Sequence, residues 1–122
     1  MSTITKLNDI NVYQDSLNLV TELYKYLNSN TKLKREFSLL DQMKRCCVSI
    51  PSNISEGFER GTKKEFIHFL FISKGSCSEL ITQLHICNNL NLITKDEFML
   101  FESQADKILR KLGSFIKYLK TS

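Results

Sequence analysis

The sequence predicts an all-α protein, an antiparallel up-down-up-down four-helix bundle. Three observations carry that reading. Four segments place apolar residues at alternating steps of three and four, which is one stripe of a helix. No segment shows a comparable alternation of period two, so strands are not expected. The 122 residues include one proline and four glycines, too little punctuation for many short elements. The length suits one domain over 1–122, with 1–10 as an N-terminal tail.

The first helix is predicted near 12–28, from Val12, Ser16, Leu19, Leu23 and either Tyr26 or Leu27. The polar stretch 28–34 closes it. The second is predicted near 38–57, from Met43, Cys47, Ile50 and Ile54. Pro51 conflicts with it, because an interior proline removes a hydrogen bond and costs about 3 kcal/mol. The apolar phase nevertheless runs unbroken through Pro51, which favours one kinked helix with the Cys47 carbonyl unpaired. Two short helices meeting at Ile50 are the alternative. Residues 57–61, bounded by glycines, separate this helix from the next.

The third helix, near 63–88, carries Phe66, Leu70, Ser73, Cys77, Leu80, Leu84 and Cys87. The fourth, near 95–120, carries Phe98, Phe101, Ala105, Ile108, Leu112, Phe115 and Leu119. Both open on a capping-box pattern, Thr62 with Glu65 and Thr94 with Glu97. Asn88, Asn89 and Asn91 end the third, since asparagine tolerates the left-handed conformation of a helix end. Short connections between such helices favour up-down packing. From Phe66 to Ile72 every residue but His68 is apolar, so Ile67, Phe69, Phe71 and Ile72 surround the helix. A helix apolar on all sides must be covered on all sides. These four are candidate oligomer-interface residues, unless loops or the N-terminal tail cover them.

The net charge of +4 is too small to indicate nucleic acid by itself. No apolar run approaches the roughly 20 residues that span a bilayer, and 1–10 lacks the order of a secretion signal, so no membrane partner and a cytoplasmic location are expected. Cys46, Cys47, Cys77 and Cys87 are then free thiols. They form no C-x-x-C spacing, so neither a zinc site nor any other cofactor is expected.

The stretch 42–58, QMKRCCVSIPSNISEGF, contains an arginine-bearing helix running into S-I-P-x-N-I-x-E-G. Arg60, Lys64, Phe66, Phe69, Leu70, Gly75, Ser76, Glu79, Leu80, Gln83 and Leu84 continue it in register, and Val12, Tyr13 and Gln14 precede it. In these residues the chain resembles the four-helix-bundle proteins encoded in intervening sequences of bacterial 23S ribosomal RNA genes. Relatives of that family include accessory proteins of diversity-generating retroelements. The resemblance implies a homopentameric ring with a basic surface. For the retroelement relatives it also implies contact with nucleic acid and a reverse transcriptase. Two departures leave the fold untouched: Asn91 stands where a glycine is usual, and Cys46 and Cys47 replace small residues.

Candidate chemistry is sparse. Arg45, Ser49, Ser52 or Asn53, and Glu56 share one face of the second helix, and Ser76, Glu79 and Gln83 share one face of the third. Ser49 and Glu56 lie roughly 10 Å apart along the axis, too far for direct proton transfer. A polar network setting helix register is the better reading, with Arg45 within a turn of Glu79. His68 and His85 are separated by roughly 25 Å of helix and cannot share a metal. Arg60 and His68 are spaced too widely for the arginine–histidine pair of helical ribonucleases. No enzyme is expected.

From Lys107 onward there are five basic residues and no acid: Lys107, Arg110, Lys111, Lys117 and Lys120. Lysines near a helix C-terminus also complement the macrodipole, and those at 60–64 alternate with acids. The fourth-helix run is therefore the candidate patch for weak, sequence-independent binding of RNA or DNA. The alternative is a protein-interaction or scaffold bundle with no nucleic-acid role.

Overall fold

A computed structural model describes residues 6, 7 and 10–122. Those residues form an all-α protein with five helices and no strand among them: α1 (Asn11–Ser29), α2 (Thr31–Lys34), α3 (Phe37–Glu59), α4 (Lys63–Asn89) and α5 (Lys95–Thr121). Most of the predicted tail lies outside the described residues. Within it Ile10 is buried, and Leu7 packs against the same core. No described helix is long and apolar enough to cross a membrane.

Each long helix turns its predicted stripe inward. Val12, Ser16, Leu19, Leu23 and Leu27 are buried from α1, and Met43, Cys47, Ile50 and Ile54 from α3. All seven predicted positions of α4 are buried. In α5 the buried row is Phe101, Ala105, Ile108, Leu112, Ile116 and Leu119, with Phe98 and Phe115 half-buried at its edge. Helix α3 is continuous, with Pro51 buried inside it.

The packing order is regular. Along α3, Met43 meets Cys87, Ile50 meets Ser73 and Gly57 meets Phe66, so partners on α4 descend as α3 ascends. Between α4 and α5 the pairs are Phe66 with Phe115, Cys77 with Ala105 and His85 with Phe98. Between α1 and α5 they are Asp15 with Lys111, Glu22 with Gln104 and Tyr26 with Phe101.

The connections show what the apolar period alone does not. The 28–34 stretch is not a plain polar link, because Asn30 caps a single helical turn. Its side-chain oxygen accepts from Leu33 N at 2.9 Å, and Leu33 is fully buried. Thr94 and Glu97 form a complete capping box. At Thr62 only half of one forms: its hydroxyl accepts from Glu65 N at 3.2 Å, while Glu65 turns toward Arg60, 3.9 Å away. Helix α4 ends with Asn91 at φ 57°, Leu92 N donating to Cys87 O at 2.9 Å and Asn91 N to Asn88 O at 3.1 Å. That is a Schellman ending with asparagine in the position glycine usually takes.

Candidate nucleic-acid interface

The fourth-helix basic run, now on α5, divides between two faces. Arg110 pairs with Asp106 at 2.9 Å, and Lys111 pairs with Asp15 of α1. Lys107 lines the same cleft as Asp15 and Glu22. This half of the run is met by acids, so the five residues do not make one positive patch.

Lys117 and Lys120 follow Gly113 at steps of four and three, on a stripe that faces α4 rather than α1. There they join Lys74, which the sequence reading missed because it belongs to another helix. Gly113 explains the approach: a Cβ at that position would lie 3.5 Å from Lys74 Cε, so the lysine stem runs closely over the bare backbone. None of the three lysines makes an ion pair with a described residue. Together with Phe71, Gly113 and Ile116 they line an open notch of about 230 Å³. Phe71 is 46% exposed, and the Lys120 ammonium sits 4.9 Å from its ring centroid.

The candidate interface residues are unequally covered. Ile67 is half-buried against the core. Phe69 is half-buried too, with the Arg60 guanidinium 4.9 Å from its ring and its Cβ against Gly57. Only Phe71 and Ile72, 39% exposed, remain open. The chain's own α3–α4 turn thus covers part of the apolar girdle.

The predicted polar stripes are only partly joined. Ser49 Oγ and Ser76 Oγ lie 2.8 Å apart across α3 and α4, and Asn53 Nδ2 donates to Ser49 O and Oγ, both at 2.8 Å. Arg45 stays outside. It is 81% exposed in its side chain and pairs with Asp41 on its own helix, not with Glu79. Glu56 likewise pairs with Arg60 at 2.8 Å. Gln83 is buried with neither amide atom hydrogen-bonded. Cys46 fits into the seam, its thiol donating to Ser76 O at 3.0 Å.

All four cysteines are free and buried. Burial pushes the Cys46 and Cys77 thiols up to about 12 and those of Cys47 and Cys87 to about 11, so they are neutral and unreactive near neutrality. No group of three His, Cys, Asp or Glu among the described residues could hold a metal ion. His68 and His85 pack against Phe69 and Phe98.

Residues 8–114 match the family of the 23S rRNA-intervening sequence protein. The chain belongs to that family. Among solved structures this family member is similar to a protein of unknown function from the S23 ribosomal protein family of Bacteroides thetaiotaomicron. The two are 23% identical, the match covers 91% of this chain and 99% of that one, and the TM-score is 0.83. At that identity the likeness bears on the fold. No protein of curated function is significantly similar to the chain.

Proposed function

We propose that this chain is a non-enzymatic, self-assembling four-helix bundle that binds nucleic acid weakly and without base preference. In this reading α1, α3, α4 and α5 run up, down, up and down, with α2 as a corner turn. The descending order of partners between α3 and α4, between α4 and α5 and between α1 and α5 supports that topology. The observation that carries the binding reading is the trio Lys74, Lys117 and Lys120, converging from two helices with no ion pair to any described residue. Exposed Val48, Ile72, Ile86, Met99 and Leu100 support self-assembly. The number five comes from the family resemblance. Five copies at +4 each would carry 5 × 4 = +20, so patches too weak singly would act together.

The absence of enzyme chemistry in this reading rests on pairing. Ser49 and Ser76 bond each other, both histidines pack on aromatic rings, and burial holds the Cys46 thiol beside Glu79 protonated at neutral pH, so no described serine or cysteine is set up as an activated nucleophile.

The test is fluorescence anisotropy of a labelled RNA at rising salt. Three phosphate contacts per chain should weaken binding by roughly 20-fold between 50 and 200 mM salt, and more steeply in an assembly. Lys117→Glu with Lys120→Glu should abolish binding at low salt. Arg110→Glu with Lys111→Glu should change it much less, since both residues are already paired with acids. If the first double variant keeps its assembly state and binds as the parent does, the surface is only solvated. The exposed apolar residues would then favour the scaffold reading.

A further inference from the structure

The notch at Phe71 combines two features that call for one kind of ligand. Three ammonium groups with no acid partner among the described residues favour an anion. The half-exposed aromatic ring and Ile116 favour a flat or apolar group. A simple phosphate would gain nothing from Phe71, and an apolar side chain would gain nothing from three lysines. A nucleotide presents both parts, a base with a π-face and a phosphate one sugar away.

The other aromatic capped by a lysine differs in both respects. Lys44 lies 5.0 Å from the Tyr24 centroid but also donates to Asn28 Oδ1 at 2.6 Å, so that ammonium is already engaged. At Phe71 the capping Lys120 has no such partner. Its long stem lets the head swing from the ring to a phosphate and open the ring face.

We propose that the notch takes an unpaired base, stacked on Phe71, with Lys74, Lys117 and Lys120 on the flanking phosphates. This rests on the nucleic-acid reading above and narrows it: the ligand is single-stranded. A duplex keeps its base faces within its own stack and offers the notch only phosphates. Nothing in the notch distinguishes one base from another, so the preference is for strandedness and not for sequence.

The chain contains no tryptophan, so Phe71→Trp places a single tryptophan in the notch, which can be excited apart from the tyrosines. Single-stranded oligouridine should quench it, with salt restoring the signal, while a blunt-ended, fully paired two-strand RNA duplex should bind without quenching. Oligothymidine is the parallel arm: quenching by either strand supports the proposal, and the stronger arm names the source. Phe71→Leu keeps apolar bulk without a π-face and should weaken single-strand binding by about tenfold, leaving duplex binding unchanged. The position is half-exposed, and circular dichroism of each variant checks that the fold is retained. If single strands bind at saturation without quenching, or Phe71→Leu binds them as the parent does, base stacking is overturned while the lysine surface stands. If Lys117→Glu with Lys120→Glu also binds unchanged, both fall.

Discussion

The Tyr26 hydroxyl donates to Glu97 Oε1 at 2.5 Å, joining α1 to α5 across 71 residues of sequence. The same carboxylate oxygen accepts from Thr94 N at 2.8 Å to close the α5 capping box. On the other side, Asn30 Nδ2 donates to the Tyr26 oxygen at 2.8 Å and to Leu92 O at 3.0 Å. One small cluster therefore caps α5, caps α2 and ties the two loops at that end of the molecule together. Burial and then the Glu97 carboxylate keep the Tyr26 phenol protonated well above its ordinary range. Burial also pushes the Glu97 carboxyl up, but the Tyr26 and Thr94 hydrogen bonds outweigh it and hold it low.

Tyr26→Phe should cost about 1–2 kcal/mol at neutral pH, since one hydrogen bond to a charged group is lost while nearby water can replace part of it. Glu97 contributes this stability above its ordinary pKa and loses it as pH falls through its lowered folded value. The gap between parent and variant in urea unfolding should therefore narrow in acid. A gap that widens below pH 4 would contradict the assignment.

Gly57→Ala should destabilise. A Cβ there would lie 2.7 Å from Phe69 Cβ and 3.1 Å from Phe66 Cδ1. Crowding of that kind costs about 1–3 kcal/mol, against roughly 1 kcal/mol gained from alanine's helix propensity. The net should be a lower urea midpoint with an unchanged slope. A raised midpoint would show that α3 and α4 separate more easily than this contact implies.

Ser49 and Ser76 should be energetically coupled. A double-mutant cycle to alanine should return about 0.5–1.5 kcal/mol, the net worth of a partly buried hydrogen bond. Arg45→Ala and Glu79→Ala should be additive, because Arg45 pairs with Asp41 instead. Coupling in the second cycle but not the first would restore the wider network expected from sequence.

The thiols should report unfolding. With folded values raised to about 11–12, their contribution is fully present below the ordinary thiol pKa of 9.0 and is lost as pH rises through the folded values. Thermal midpoints should fall from pH 9 upward, and a disulfide reagent should label the native protein at neutral pH only as fast as it opens. Rapid labelling of even one thiol without unfolding would show that a cysteine is accessible.

What the sequence reveals depends on how far apart the interacting residues lie. The α4 stripe from Phe66 to Cys87 is legible because burial follows a local period, and every one of its seven positions is buried. The turn α2 escapes that period, since one buried leucine has nothing to recur with; Asn30 three residues before Leu33 was its only signal. The Asp106–Arg110 pair stands four residues apart on one helix and is readable in the sequence. The Asp15–Lys111 pair is not, its members standing 96 positions apart. The same limit hid Lys74, which meets Lys117 and Lys120 only after α4 and α5 have packed. The polar stripes look like one network in the sequence because the face of a helix does not say whether an arginine bends along its own helix or reaches across.

The contacts between α1 and α5 also bear on the order in which the chain can close during synthesis. α3 and α4 need only the short turn between them to pack, so they can pair while α5 is still being made. α1 leaves the ribosome before them, yet Asp15, Glu22 and Tyr26 find their partners at Lys111, Gln104 and Glu97, all translated after α4. Until then Leu19, Leu23 and Leu27 are covered on one side only. A nascent chain paused before Thr94 would thus present an open apolar seam along α1. That is the interval in which this molecule is most exposed to the wrong neighbour.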